Sequence, residues 1–159
     1  MIEQTDWMPL LPHRAPMVLL TDVISYDEHH AHCVVHINTG SPFFDAELNG
    51  VPTWTGLEYM AQAIGIWAGH QQQLHHKPVQ AGFLLGCRQY HCNTAVFPVD
   101  CTLAVHCAPV YCDDSGLGAF DCRIRSTGLE ATAQIKAFRP ENPKQFVRPF
   151  SLSSTGSLA

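Results

Sequence analysis

From Thr53 to about His75 the apolar residues recur at helical spacing, and this stretch is loaded with small side chains: Gly56, Ala61, Ala63, Gly65, Ala68 and Gly69. Leu57, Met60, Ala61, Ile64, Trp67 and Ala68 follow the i, i+3, i+4, i+7 rule of a helix with one apolar face. Each glycine inside a helix costs ~1 kcal/mol relative to alanine. Another element must therefore approach this helix closely enough to offset the loss. A central helix clasped by a curved sheet satisfies that requirement, and the flanking sequence supplies the sheet.

Residues 17–26 (MVLLTDVISY) read as a strand, and 30–38 (HAHCVVHIN) alternate, with Ala31, Cys33, Val35 and Ile37 on one face and His30, His32 and His36 on the other. After the helix, 81–92, 101–112, 118–126 and 130–138 are the candidate strands. Phe120, Cys122 and Ile124 alternate with Asp121, Arg123 and Arg125, and Ala131, Ala133, Ile135 and Ala137 alternate with Thr132, Gln134 and Lys136. That is the pattern of antiparallel strands with one wet face. Turns are expected at 113–116 and 126–128, and a short turn or helix closed by Pro12 at 5–12. From Pro140 the periodicity is lost. The expected organisation is one α+β domain over 1–140, followed by a loosely ordered tail over 141–159.

The 159 residues are 46% hydrophobic and 14% charged, which suits a globular domain. A net charge of −5 without a basic stripe excludes nucleic acid as the main partner. A neutral ligand, or one carried on another protein, fits better. No signal peptide is evident, and no apolar run reaches the ~20 residues of a membrane helix. Seven cysteines, an odd number with no CxxC spacing, read as reduced thiols of a cytoplasmic protein. Histidines at 29, 30, 32, 36, 75 and 76 raise the question of zinc, but without HExxH they read as a solvated face, and no metal or cofactor is expected. There is likewise no G-x-S-x-G, no GxxxxGK loop, and no cysteine at a helix start where its thiol would be activated.

Three stretches carry a resemblance. LLPHRAPMVLLTDV (10–23), PTWTGLEYMAQ (52–62) and GFLLGCRQYHCNTAVFPVD (82–100) fall in the order and spacing of an N-terminal L-L-P-H-R-x-P motif, a P-G-x-x-x-x-E-A-M-A-Q helix start and a central strand. In that strand a glycine like Gly86 is followed by a proline like Pro98 and an aspartate like Asp100. The chain resembles the hotdog-fold (3R)-hydroxyacyl-acyl-carrier-protein dehydratases, in particular the dehydratases of aryl-polyene-type acyl pathways. The resemblance implies a long helix wrapped by an antiparallel sheet, with two subunits joining their sheets. The active site would lie at the subunit interface, and an acyl chain would enter on the phosphopantetheine arm of an acyl carrier protein, or as acyl-CoA. A histidine takes the α-proton of the 3-hydroxyacyl thioester, a carboxylate at the Glu58 position protonates the departing hydroxyl, and amides near the helix start polarise the thioester carbonyl. Phe44, Thr53, Trp54, Phe83, Leu85 and Gly86 are the substrate-binding positions this implies.

The chain departs from the pattern in two places. The G-H-F-P-G segment is replaced by a shorter DAELNGV (45–51), which removes the catalytic histidine, and Thr53 stands where the family has glycine after the helix proline. His13 matches a histidine of the structural N-terminal motif. Asp45, Glu47 and Asn49 are the candidates to replace the base, with Asp45, directly after the aromatic pair, chosen beside Glu58. Glu58 has a purely structural reading too: Thr55-Gly56-Leu57-Glu58 fits a capping box in which Glu58 would bond back to Thr55. Three activities stay open: a dehydratase that manages without histidine, an inactive subunit of a heterodimer with another hotdog protein, and a thioesterase in which Glu58 attacks or directs water. A module that only holds an acyl chain or a partner is the non-enzymatic alternative. Arg123, Arg125, Lys136 and Arg139 form either an ordinary solvated face or a docking patch for an acidic carrier protein.

Overall fold

A computed structural model describes residues 7–140. In chain order the elements are a 3-10 turn Met8–Leu10, β1 (Asp22–Tyr26), β2 (Ala31–His36), β3 (Gly50–Pro52), a 3-10 turn Thr53–Thr55, α1 (Gly56–Leu74), β4 (Phe83–Cys92), β5 (Val96–Pro98), β6 (Thr102–Cys112), β7 (Leu117–Ser126) and β8 (Leu129–Phe138). Among the described residues, six strands make one antiparallel sheet in the order β1-β2-β6-β7-β8-β4, and β3 and β5 form a separate two-stranded ribbon. The helix α1 packs against β6, β2 and β7. This is the expected hotdog arrangement, one helix held by one sheet. The tail expected over 141–159 lies outside the described residues.

Alternation places the core. Ala31, Cys33, Val35, Leu103, Val105, Cys107, Phe120, Cys122, Ile124, Ala131, Ala133 and Ile135 all face α1 and are buried. The small residues of the helix have the role their number suggested. A side chain at Gly69 would collide with the backbone carbonyl of Leu10, and one at Gly56 with the Tyr90 hydroxyl and with Ile124 and Phe97. Tyr90 in turn donates its hydroxyl to the Thr53 carbonyl, which pins the helix start to β4.

Two expectations differ from the structure. Residues 17–21 are not part of the first strand, which begins at Asp22. The buried Gln62 of α1 accepts a hydrogen bond from the Leu19 amide at 2.9 Å and donates to the Met17 carbonyl at 2.7 Å, so a helix side chain takes the place of a neighbouring strand. The helix also buries more than the six-residue stripe. Tyr59, Ala63, Ile66 and Gly69 are in the core, whereas Leu57, Ala61, Trp67 and Ala68 are only part-buried. All seven cysteines, which fall within the described residues, are unpaired. Among the described residues no helix is long and apolar enough to cross a membrane.

Candidate active site

The start of α1 is set by local bonding. The Thr53 amide donates to the Ala95 carbonyl at 3.2 Å, and the Thr55 hydroxyl donates to the Pro52 carbonyl at 2.7 Å. The capping box therefore does not form: Thr55 is helical in backbone and gives α1 no side-chain cap. Its hydroxyl is drawn back because the preceding 3-10 turn places the Pro52 carbonyl within reach. Glu58 is left exposed in the first helical turn, and among the described residues its carboxylate has no hydrogen-bond or ion-pair partner.

Glu58 stands at an apolar groove of about 260 Å³ between α1 and the adjoining ends of β4, β7 and β8. The helix side is Ala61, Ile64, Gly65, Trp67 and Ala68, and the sheet side includes Phe83, Leu84, Leu117, Phe120 and Phe138. The volume is just below the roughly 300–1,000 Å³ of ordinary small-molecule sites. Much of the helical stripe read as a core face is thus the wall of this groove. Apolar spacing does not distinguish a wall from a core, because both exclude water.

The polar groups around the groove differ in how committed they are. Asp113 accepts from the Ser115 hydroxyl at 2.5 Å and from the amides of Ser115 and Leu117, which hold its carboxyl below the usual range; it is tied into the β6–β7 turn. Burial lowers the pKa of Arg139, which remains cationic near neutral pH. His13 also lines the groove, with its Nδ1 buried and unpartnered among the described residues. His13 and Arg139 are the groove groups that sequence reasoning did not place there. The LPHR motif and the end of the last strand were the available signals, but neither says which way the chain leaves its element.

Of the expected site residues, Glu58 and Phe83 are brought together at the groove and the others are not among its lining. Asp45 is bridged to Gly50, and its carboxylate accepts the amides of Glu47 (2.8 Å) and Leu48 (3.3 Å), so it organises its own turn. Phe44 is part-buried against the core, and the exposed Trp54 meets Phe43 edge-on at 5.2 Å. The Thr53 amide is already used by Ala95. Leu85 is 53% exposed, and Gly86 has open space on its side-chain side. Both lie on β4, a sheet edge. The basic cluster is divided by the sheet: Arg123, Arg125 and Lys136 face outward, while Arg139 turns into the groove on the helix side.

The fold and the groove define a hotdog domain with a carboxylate at the lip of an apolar cleft. A family model described as ApeP dehydratase, of the ApeP-like family, matches residues 5–148. The 3-hydroxyacyl-[acyl-carrier-protein] dehydratase FabZ of Deinococcus radiodurans is 31% identical over 134 residues, covering 82% of this chain and 88% of its own. A chain of the dehydratase heterocomplex ApeI:P from Xenorhabdus doucetiae superposes with a TM-score of 0.82 at 30% identity, covering 91% of this chain and 96% of that one. The Escherichia coli PaaI protein, with a TM-score of 0.58 at 16% identity over 74% of this chain and 82% of its own, shares the fold alone. The chain belongs to the ApeP-like family of dehydratases.

Proposed function

We propose that this protein is one half of a two-subunit dehydratase acting on a 3-hydroxyacyl thioester carried by an acyl carrier protein, with Glu58 as the acid. The observation that carries this reading is the Glu58 carboxylate, free of partners among the described residues and set at the mouth of an apolar groove. The reaction is an elimination. A base removes a proton from C2, the C2–H electrons form the C2=C3 bond, and the C3–O bond breaks as Glu58 gives its proton to the hydroxyl, which leaves as water. Run backwards, the same groups hydrate the enoyl thioester.

The base comes from the partner subunit. Asp45 is committed to its own turn, and the family histidine is absent from DAELNGV. β4 is a ten-residue edge strand with Leu84 and Leu85 exposed, the kind of edge that another chain's strand completes. A heterocomplex is also the form of the similar solved dehydratase ApeI:P. Pairing along β4 would carry the second subunit past Phe83 and Leu84, which line the groove beside Glu58.

Mass spectrometry of a 3-hydroxyacyl carrier protein tests this. Mixed with a histidine-bearing hotdog dehydratase subunit from the same genome, the protein should form a complex that removes one water from the acyl chain, and alone it should leave the substrate unchanged. Full turnover by the protein alone would overturn the two-subunit reading. If that turnover vanished in His13→Ala, the base would be His13. Release of the acyl chain from the carrier would make the protein a thioesterase instead.

A further inference from the structure

The face of the sheet turned away from α1 carries a second cavity that the proposed reaction does not use, a trough of about 770 Å³. Strand register builds it. His32 lies opposite His106, His106 opposite Arg123, Arg123 opposite Thr132, and Thr132 opposite His91, so one row of donors crosses β2, β6, β7, β8 and β4. Ala104 and Ala108, two residues either side of His106 on β6, keep the floor low. Residues directly opposite in an antiparallel pair have Cβ atoms about 4.5–5.5 Å apart. His106, Arg123 and Thr132 can therefore all reach one small group placed over the middle of the row.

With the histidines neutral the formal charges in and around the trough balance, Asp27, Asp121 and Glu130 against Arg88, Arg123 and Arg125, but they are unevenly placed. Just before β2, His30 is held by Asp27 at 2.9 Å and by the Ser25 hydroxyl at 3.1 Å, and its ring stacks on His106 at 5.6 Å. His32 meets His106 edge-on at 6.1 Å. On β7, Arg125 is paired with Glu130 of β8 at 2.9 Å, whereas Arg123 has no ion pair among the described residues. Asp121 is the one carboxylate lining the trough. It lies in the next outward row, opposite Ala108 and Gln134, with Arg88 of β4 opposite Gln134 in turn. Burial first, and then His30, His32 and Arg123, hold the His106 ring below its ordinary pKa. His106 is thus held against protonation by its burial and its neighbours, and an anion beside it would relieve this.

We propose that this trough is an oxyanion site that takes a phosphate group, centred on Arg123, His106 and Thr132 and strengthened when His106 is protonated. A planar guanidinium offers phosphate a fork of donors, and the imidazolium and hydroxyl add theirs from either side. A metal ion is the poorer match, since among the described residues no three histidine, cysteine or acidic side chains converge as ligands. An acidic protein surface would require donors spread over a wide area, whereas these converge on one row. Linkage is reciprocal: an anion that binds the protonated form better must raise the pKa of His106.

Titrating the full chain with inorganic phosphate and pyrophosphate, followed by calorimetry and by the histidine ring resonances, tests the site. At about pH 6, near the ordinary histidine pKa, binding should be saturable, should move the His106 resonance and should raise its titration midpoint. At about pH 8 it should weaken by roughly tenfold or more, the loss expected of an anion coupled to one or more protonations. Arg123→Gln should abolish binding, and His106→Gln should weaken it and reduce its pH dependence. Absence of saturable binding at about pH 6, an equal response to sodium chloride at matched ionic strength, or unchanged binding in a well-folded Arg123→Gln protein would overturn the proposal. Saturable binding of an acidic carrier protein, but not of phosphate, would overturn it in favour of a docking surface.

Discussion

At the scale of single residues, the helix glycines show how far composition reaches. Their number required a close neighbour, but Gly69 meets the Leu10 backbone from the N-terminal turn, and Gly56 meets Tyr90 from β4. Nothing local to either glycine names that neighbour. Ala at position 69 would improve helix propensity by ~1 kcal/mol, yet its methyl group would press on a carbonyl, and overpacking typically costs about 1–3 kcal/mol. Because the atom it meets is backbone and cannot swing aside, the cost falls at the upper end, and Gly69→Ala should lose about 2 kcal/mol net by urea denaturation. Equal or higher stability would show that the turn Met8–Leu10 can move away. Glu58 illustrates the opposite limit. T-x-x-E is the same string whether it caps a helix or arms a groove, and the Thr55–Pro52 bond decides between them only once the 3-10 turn exists.

Among elements, the long strands were legible because alternation over ten or so residues leaves one consistent burial pattern, seen in β7 and β8. The ribbon β3–β5 was not, since three residues per strand are too few to show a period. The segment 17–21 is apolar enough to read as strand, but Gln62 takes up the Leu19 amide and the Met17 carbonyl, and pairing with β2 starts only at Thr21. β4 is one of the two edges of the sheet, and on the proposed function it is the one that the partner subunit completes. A lysine at Leu85 would put a charge on its open edge, a device that blocks strand pairing. Leu85→Lys should weaken the complex with the partner subunit by about tenfold or more, equivalent to ~1.4 kcal/mol. As an exposed position away from the core, it should alter the stability of the chain itself by no more than about 0.5 kcal/mol. Unchanged complex formation in sedimentation velocity would place the interface elsewhere.

For the molecule as a whole, burial of thiols makes stability depend on pH on the alkaline side. Desolvation raises the pKa of Cys33 and Cys122, and raises Cys107 to about 12. In the unfolded chain a thiol ionises near ~8.5, whereas the folded protein keeps these three protonated well above that. The unfolded state therefore binds fewer protons at alkaline pH, and stability falls as pH rises. The fall begins near pH ~8.5 and has a slope of up to about 1.4 kcal/mol per pH unit for each thiol. Tyr59 and Tyr90, also raised by burial, add in the same direction above pH ~10. Urea denaturation at about pH 7.5 and about pH 9.5 should differ by roughly 2–4 kcal/mol, and a flat profile would contradict a dry thiol core.

The hotdog domain as a unit was legible in the sequence because helix, strand order and motif spacing agree. Of the candidate groove only part was legible: Glu58 and Phe83 reach it, while Asp45 is spent on its own turn and Leu85 and Gly86 face an open edge. On the proposed two-subunit reading the base belongs to another chain, and it leaves no mark in this one except a gap. The most direct test is the rate of water loss from a 3-hydroxyacyl carrier protein by the reconstituted complex, with wild-type protein and with Glu58→Gln. If Glu58 is the acid, the rate should fall by about 10²–10⁴-fold while the variant still assembles and melts like the wild type. A rate within a few-fold of wild type would show that the carboxylate at the groove takes no part in the chemistry.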